Sequence, residues 1–241
     1  MTRTAVVTGG GTGIGRATAA ALAADGLEVV ITGRRKDVLD AAAADLGPQV
    51  RAVPFDATDP DEIEAALASL PERVDVLVNN AGGNPDLTGP PPQTLTGVRD
   101  AWLANLEANL VSAVLVTTAL TPRFADGGRV ITLGSIAAAT GAAGYGAAKA
   151  GVVAWNAELA FQVGGRGVTA NVVAPGLVEE TEFFGDALTS ERRATLISQT
   201  ATGRAGRVTD VAATIAFLAS PEAGHITGQV VHVNGGAHLG G

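Results

Sequence analysis

The chain contains no cysteine, which excludes disulfide bonds and thiolate metal sites. Its three histidines, His225, His232 and His238, crowd near the carboxyl-terminal end. We predict that they hold no metal ion.

Positive charge is also scarce. Lys and Arg total 16 against 24 Asp and Glu, which gives a formal net charge of -8, and no basic run is visible. A phosphate backbone usually needs a basic face, so we predict no nucleic-acid partner. The opening residues lack the features of a signal peptide, and we expect no apolar run of membrane-spanning length. These absences predict a cytoplasmic protein with no membrane partner.

Aromatic residues make up only 4% of the chain, whereas hydrophobic residues make up 46%. The core must therefore be built from Val, Leu, Ile and Ala, whose small side chains let helices pack closely on a sheet. Seven apolar runs rich in β-branched residues alternate with Ala-rich stretches of helical composition. The runs are 4–9, 27–33, 50–56, 74–80, 128–135, 168–176 and 228–236, and the helical stretches are 14–24, 35–46, 60–70, about 97–120, about 142–163 and 209–219.

This alternation predicts βαβ units with right-handed crossovers, and the runs resemble strands that are buried on both faces. The expected fold is α/β, a doubly wound parallel sheet of about seven strands with helices on both faces. No linker divides the chain, so we predict one domain over residues 1–241. Residues 82–97 and 176–192 are predicted to be irregular, and both follow the carboxyl ends of strands, where ligands bind in such sheets.

A glycine-rich loop, TGGGTGIGRA (8–17), joins the first strand to the first helix. Gly9, Gly13 and Gly15 suit a tight turn, a close backbone approach and close helix packing, and free amides at the helix start can receive a pyrophosphate. A nucleotide-triphosphate loop fits poorly, because Arg16 and Ala17 stand where Lys and Ser or Thr are needed. The alternative is a simple turn.

The second strand ends in Thr32-Gly33 and is followed by Arg34 and Arg35. An NAD-selective site would place an acid here for the ribose 2'-hydroxyl, whereas a guanidinium would attract a 2'-phosphate. These residues predict NADPH (NADP) as the cofactor. The alternative is that the arginines only begin a surface helix.

The only tyrosine, Tyr145, precedes Lys149, one of two lysines, by four positions. In a helix this spacing puts both side chains on one face. A neighbouring ammonium favours the phenolate and should lower the tyrosine pKa toward the range that acid-base catalysis needs. The alternative is a half-buried tyrosine beside a solvated lysine.

Four motifs in this order, TGGGTGIG (8–15), NNAG (79–82), the Tyr145 and Lys149 pair, and PG (175–176), resemble the short-chain dehydrogenase/reductase family, a Rossmann fold. The resemblance covers Thr4 to Gly236 and is greatest to the 3-oxoacyl (ketoacyl) reductase branch, which ITGQVVHVNGG near the carboxyl-terminal end resembles. The segment from Ser135 to Tyr145 departs from the family pattern by being a few residues shorter.

The resemblance implies a catalytic set. Tyr145 would be the general acid or base, and Lys149 would assist it and bind the nicotinamide ribose. Ser135 would orient the substrate oxygen. Asn109 would support a proton relay through water, and Asn105 is a less suitable neighbour.

The resemblance also implies cofactor contacts. Asp56 would accept a hydrogen bond from the adenine amino group. The alternative for this aspartate is a role in a turn or as a helix cap. The full set of expected cofactor contacts is Gly9, Thr12, Gly13, Ile14, Gly15, Arg34, Arg35, Asp56, Asn79, Ala81, Gly82, Tyr145, Lys149, Pro175, Gly176, Val178 and Thr181.

The expected function is NADPH-dependent reduction of a ketone or 3-oxoacyl carbonyl, with a small carbonyl or acyl compound as the substrate. The alternatives are an NAD-linked secondary alcohol dehydrogenase and a non-catalytic dinucleotide-binding module. The segment 224–241 contains an apolar edge strand and a short glycine-rich tail. An edge strand tends to be covered, and the family packs this segment against a symmetry mate, so we expect a homotetramer, with a dimer or a tail folded onto its own domain as alternatives.

Overall fold

A computed structural model describes residues 2–87 and 90–240. Strands and helices alternate through this part of the chain, as the apolar runs predict. The strands are β1 (Thr4–Thr8), β2 (Glu28–Gly33), β3 (Val50–Pro54), β4 (Val74–Asn79), β5 (Phe124–Leu133), β6 (Thr169–Pro175) and β7 (Val230–Val233).

The helices flank these strands. They are α1 (Gly13–Ala24), α2 (Lys36–Leu46), α3 (Pro60–Ala66), α4 (Leu95–Leu106), α5 (Ser112–Leu120), α6 (Ala137–Thr140), α7 (Ala143–Gly164), α8 (Ser190–Ser198) and α9 (Val208–Ala219). A π-helical turn, Glu107–Val111, joins α4 to α5. Short 3-10 turns cover Leu67–Ser69, Pro85–Leu87, Thr121–Arg123, Gly185–Ala187 and Pro221–Ala223.

The seven strands form one parallel sheet in the order β3-β2-β1-β4-β5-β6-β7. Every residue of β4 and β6 is buried, which explains why these strands are continuous apolar runs without alternation. The order of the strands reverses between β1 and β4. This is the point at which ligands bind in doubly wound sheets, at the carboxyl ends of the strands.

Two cores, one on each face of the sheet, hold the layers together. The first packs Leu22 of α1 and Ile215 of α9 against Ile31 of β2. The second packs Val116 of α5 against Leu77 of β4, among other aliphatic residues. The predicted α/β class, with about seven parallel strands and helices on both faces, is confirmed.

Two local predictions differ from the structure. Strand β5 begins at Phe124, four residues before the predicted run, because Phe124 and Ala125 are buried beside β4. Helix α8 begins at Ser190, inside the segment predicted to be irregular, and Thr189 caps it by accepting from the Arg192 amide. Of the other segment predicted to be irregular, residues 88 and 89 lie outside the described residues.

The expectation that no apolar run reaches membrane-spanning length is wrong on length and composition. Leu95–Arg123 is one continuous helical segment of 29 residues with a mean hydropathy of 1.5 in its most apolar window, 39% of which is buried. Such a helix is weak evidence for a membrane span, since the core helices of soluble proteins can be equally long and apolar. Here the buried amides of Asn105 and Asn109 make hydrogen bonds within the protein.

The carboxyl-terminal tail returns onto β7, which is one of the two edge strands of the sheet. The rings of His232 and His238 lie 4.9 Å apart between their centroids, and Asn234 donates to the carbonyl of His238 at 2.9 Å. All four residues of β7 are only partly buried. The described tail thus contacts β7 of its own chain, while β7 keeps partial exposure.

Candidate active site

Hydrogen bonds join the end of β1 to the residues that follow β4. Thr8 Oγ1 accepts from the amides of Asn80 and Ala81 at 3.0 and 2.9 Å. The Asn80 side chain donates to the carbonyls of Thr8 and Gly9 at 2.9 and 3.1 Å. These bonds fix the ends of the two strands on either side of the topological switch point.

The glycine-rich loop requires its glycines for space. A Cβ on Gly15 would lie 2.2 Å from the Gly9 carbonyl oxygen, and Gly9 itself has a φ of +63°. Thr12 begins α1 without a side-chain cap, and no acidic residue occupies the first turn. The first amides of α1 are therefore available to an anion, which fits the pyrophosphate of a dinucleotide.

A groove of about 810 Å³ runs from this loop along the carboxyl edge of the sheet. A groove of this size suits a cofactor and a small substrate. It collects most of the residues that the sequence analysis selects: Gly9, Thr12, Gly13, Ile14, Arg34, Arg35, Asp56, Ala81, Gly82, Asn109, Tyr145, Lys149 and Thr181.

A second cavity of about 770 Å³ lies at the opposite edge of the sheet, where Thr2 and Arg3 precede β1 and Ser220 follows α9. We do not place the active site there. Ligands of open parallel sheets bind beyond the carboxyl ends of the strands, and this cavity lies at their amino ends.

Two guanidinium groups follow β2 in the groove. Arg34 lies 3.9 Å from Asp56, and Arg35 lies 2.8 Å from Glu182. Asp56 Oδ1 also accepts from the amide and hydroxyl of Thr58 at 2.9 and 2.8 Å, which is the turn role that the sequence analysis keeps as an alternative. Both arginine side chains are more than half exposed, so they are open to an anionic ligand.

Tyr145 and Lys149 lie on one face of α7, one turn apart. Lys149 Nζ is 5.7 Å from the centroid of the Tyr145 ring and donates to the Leu133 carbonyl of β5 at 2.7 Å. The tyrosine is 7% exposed and the lysine 5%, which excludes the alternative of a half-buried tyrosine beside a solvated lysine. Ser135, just beyond β5, lies close enough to the phenol to oppose the rise of its pKa, and its Oγ accepts from the Ala137 amide at 3.1 Å.

The electrostatic expectation for the tyrosine is corrected by the structure. Burial raises the pKa of Tyr145 to about 12, and the hydrogen bond with Ser135 only opposes this rise. Burial likewise lowers the pKa of Lys149 to about 8. The proximity of an ammonium does not lower the tyrosine pKa in the chain alone, because loss of water disfavours both charged forms.

Asn109 lies in the π-helical turn between α4 and α5 and faces the groove. Its side chain donates to the Gly83 carbonyl at 2.8 Å and accepts from the Gly83 amide at 3.2 Å. Asn105 instead bonds back to Ala101 at 3.0 Å and does not line the groove. Single π turns are frequent at functional sites, because the extra residue re-aims a side chain.

Several expected cofactor contacts lie outside the described groove. Asn79 is buried and donates to Thr117 Oγ1 at 2.8 Å, so Asn80 occupies the place expected for it. Pro175 pairs with Val233 of β7, Gly176 packs against Asn234, and Val178 forms a bridge with Gly206. Gly15 packs against the Gly9 carbonyl and does not line the groove.

The sequence analysis missed two side chains that line the groove, Glu182 and Phe183, in the loop segment after β6. The ring of Phe183 lies 5.4 Å from the ring of Tyr145, between centroids, and Glu182 pairs with Arg35. The only signal was position, since residues 176–192 follow β6. Composition could not show which of these side chains turns inward.

Comparisons with known proteins agree with this geometry. A family model described as enoyl-(acyl carrier protein) reductase matches residues 9–238. The 3-oxoacyl-[acyl-carrier-protein] reductase FabG of Escherichia coli (strain K12) is 38% identical over 244 residues, which cover 98% of this chain and 97% of that protein.

Solved structures give the same result. A short-chain dehydrogenase/reductase, glucose/ribitol dehydrogenase, from Brucella melitensis matches with a TM-score of 0.89 and 31% identity, over 99% of this chain and 97% of that chain. A blue fluorescent protein from a metagenomic library, solved in complex with NADPH, matches with a TM-score of 0.86 and 34% identity over 98% of each chain. The chain belongs to the short-chain dehydrogenase/reductase family, whose members are oxidoreductases that use a nicotinamide dinucleotide.

The buried lysine predicts a specific dependence of stability on pH. Between pH 8 and pH 10.5 the unfolded chain holds a proton on Lys149 that the folded chain lacks, so the free energy of unfolding should rise with pH. The contribution across this window is about 3 kcal/mol. Denaturant unfolding up to pH 10 should show this rise in the parent protein and in Lys36→Met, which removes an exposed lysine, but not in Lys149→Met. Equal pH dependence in all three proteins would contradict the prediction.

Proposed function

We propose that this protein is an NADPH-dependent carbonyl reductase that converts a ketone or 3-oxoacyl group to an alcohol. The observation that carries the proposal is the buried Tyr145, close to Ser135 and one helical turn from Lys149, in the same groove as the glycine-rich loop. A proton donor beside a dinucleotide cradle is the combination that hydride transfer to a carbonyl requires.

The residues present fit a nicotinamide dinucleotide. The uncapped start of α1 would hold the pyrophosphate, Arg34 and Arg35 the 2'-phosphate, and Ala81 and Gly82 the adenosine ribose. When bound, NADPH supplies the hydride that reaches the carbonyl carbon.

The chain handles the proton. Tyr145 donates its phenolic proton to the carbonyl oxygen as the carbonyl carbon is reduced, and Ser135 donates a hydrogen bond to the same oxygen. The phenolate that remains is stabilised by the Lys149 ammonium, because an opposite charge within several ångströms favours the ionised form. Asn109 holds the neighbouring loop at Gly83 and supports the return of a proton to Tyr145 through water.

Burial gives these groups their chemical role. At neutral pH a tyrosine with a pKa of about 12 is fully protonated, so it is available as an acid. Lys149, with a pKa of about 8, is largely charged at neutral pH. Exclusion of water strengthens the attraction between the ammonium and the phenolate that forms during reduction.

The substrate class is drawn from the names of the relatives. The E. coli relative is named as a 3-oxoacyl reductase, whereas the family model is described as an enoyl reductase. The neighbouring hydroxyl groups of Tyr145 and Ser135 favour the carbonyl reaction, because both can donate to one oxygen next to the carbon that receives hydride. A carrier-bound thioester, a diffusible thioester and a simple ketone all meet this requirement.

Two other functions remain candidates. An NAD-linked secondary alcohol dehydrogenase would use the same catalytic groups. In that enzyme Arg34 and Arg35 would not select for a 2'-phosphate on the cofactor. A non-catalytic dinucleotide-binding module would not need a phenol, a serine hydroxyl and an ammonium in one buried site. Their presence together supports an enzyme.

The role of Tyr145 is tested by Tyr145→Phe, which removes the proton donor and keeps the ring. We expect kcat to fall by more than tenfold, which is a rise of more than about 1.4 kcal/mol in the barrier. NADPH affinity, measured by fluorescence titration, should change little. Turnover above a tenth of the parent value would contradict the assignment.

The preference for NADPH is tested by Arg34→Gln combined with Arg35→Gln. Loss of charge-assisted contacts should cost about 1.5–3 kcal/mol, which weakens NADPH binding by roughly 10- to 150-fold and leaves NADH binding nearly unchanged. Arg51→Gln combined with Arg99→Gln, at two exposed arginines outside the groove, is the control for the loss of two positive charges. Equal use of both cofactors by the parent protein would contradict the proposal.

We propose a cytoplasmic homotetramer as the working form. Exposed apolar side chains lie on several elements of the described chain: Leu95, Trp102 and Leu103 on α4, Phe161 on α7, Phe217 on α9 and Leu239 in the carboxyl-terminal tail. Closed D2 symmetry uses more than one self-complementary interface, which suits apolar side chains on separate surfaces. The partial exposure of the edge strand β7 adds to this support.

Light scattering of the intact protein at micromolar concentration checks the assembly. We expect a mass of four chains of 24.0 kDa each. A mass of two chains would support the dimer, and a mass near 24.0 kDa would refute oligomerisation.

A further inference from the structure

The loop segment 178–184, here called the strap, crosses the cofactor groove from the end of β6. Three consecutive residues of the strap contact three parts of the site. Thr181 lies beside the glycine-rich loop, where a Cβ on Gly13 would come 3.4 Å from its Cγ2. Glu182 Oε2 is 2.8 Å from Arg35 Nη2, and the Phe183 ring lies 5.4 Å from the Tyr145 ring.

The backbone of the strap is held in an unusual conformation. Glu180 has a φ of +65°, which L side chains adopt rarely and which costs free energy unless the surroundings impose it. Thr181 and Phe183 fix the strap on both sides of Glu182 through the contacts just described. The carboxylate is thus directed at Arg35 by its neighbours.

Arg35 is one of the two cations assigned to the 2'-phosphate of NADPH. Its guanidinium is already paired with the Glu182 carboxylate of the same chain. A carboxylate and a phosphate compete for the same guanidinium, and two anions side by side repel each other. NADH has a hydroxyl where NADPH has the 2'-phosphate, so it does not meet this competition. The contact therefore acts on one cofactor and not on the other.

We propose that Glu182 is a specificity-determining residue that occupies the 2'-phosphate position on Arg35 and limits the preference for NADPH over NADH. This inference rests on the proposed NADPH site. Because both partners are more than half exposed, the competition is modest. It reduces NADPH affinity by about two- to fivefold.

Glu179 offers a matched control. It is another glutamate of the strap, and it pairs with Arg193 of α8 in place of Arg35. Glu179→Gln changes the net charge of the protein by the same amount as Glu182→Gln. Any effect common to both variants is a general electrostatic effect.

The test is a fluorescence titration of NADPH and NADH, which differ only in the 2'-phosphate. Glu182→Gln should tighten NADPH binding about two- to fivefold and leave NADH binding unchanged, and Glu179→Gln should do neither. In an Arg35→Gln background the effect of Glu182→Gln should vanish, because the shared partner is gone. Weaker or unchanged NADPH binding in Glu182→Gln would overturn the proposal, as would equal tightening of both cofactors.

The same measurements separate this failure from failure of the proposed function. If Arg35→Gln weakens NADPH binding but Glu182→Gln has no effect, only the role of Glu182 is wrong. If the parent protein binds both cofactors equally and Arg35→Gln changes neither affinity, the NADPH site is wrong, and the role of Glu182 is overturned with it.

Discussion

The proposed chemistry depends on one constraint, the burial of a phenol and an ammonium one helical turn apart on α7, beside the end of β5. Lys149 can lie inside the protein because its ammonium donates to the Leu133 carbonyl at the last residue of β5. That bond ties α7 to the sheet. A polar group buried without a partner is costly, so the position of the helix is strongly determined.

The same burial shifts the pKa values of Tyr145 and Lys149 away from those of free side chains. Water stabilises the phenolate and the ammonium alike, and its removal raises the pKa of Tyr145 and lowers that of Lys149. Without a cofactor, Tyr145 therefore stays protonated at neutral pH and can act only as an acid. A further positive charge in the groove is needed to make it a base, and the oxidised nicotinamide ring can provide one.

Much of this arrangement was predictable from the sequence. The strand runs are apolar on both faces because helices cover the sheet on both sides, and Gly15 must be glycine because a Cβ would meet the Gly9 carbonyl. The pairing of Tyr145 with Lys149 follows from helical spacing alone. These features depend on local chemistry that a sequence carries directly.

Other features depend on contacts between distant segments, and no local pattern encodes them. The ion pair of Arg35 and Glu182 joins residues 147 positions apart. Asn79 and Asn80 are neighbours of one type, and only the packing of β4 against α5 shows that Asn79 turns away from the groove. The direction of the Tyr145 pKa shift was likewise hidden, because burial outweighs the nearby charge.

The central claim is that Tyr145 exchanges a proton in concert with a nicotinamide cofactor. Because the chain has one tyrosine, the ultraviolet absorbance of tyrosinate reports this residue alone. Titration of the folded protein should give a pKa of about 12 without cofactor. With saturating NADP⁺ the value should fall by at least about one unit, since a cation within several ångströms favours the phenolate. A tyrosine pKa unchanged by NADP⁺ would contradict the account.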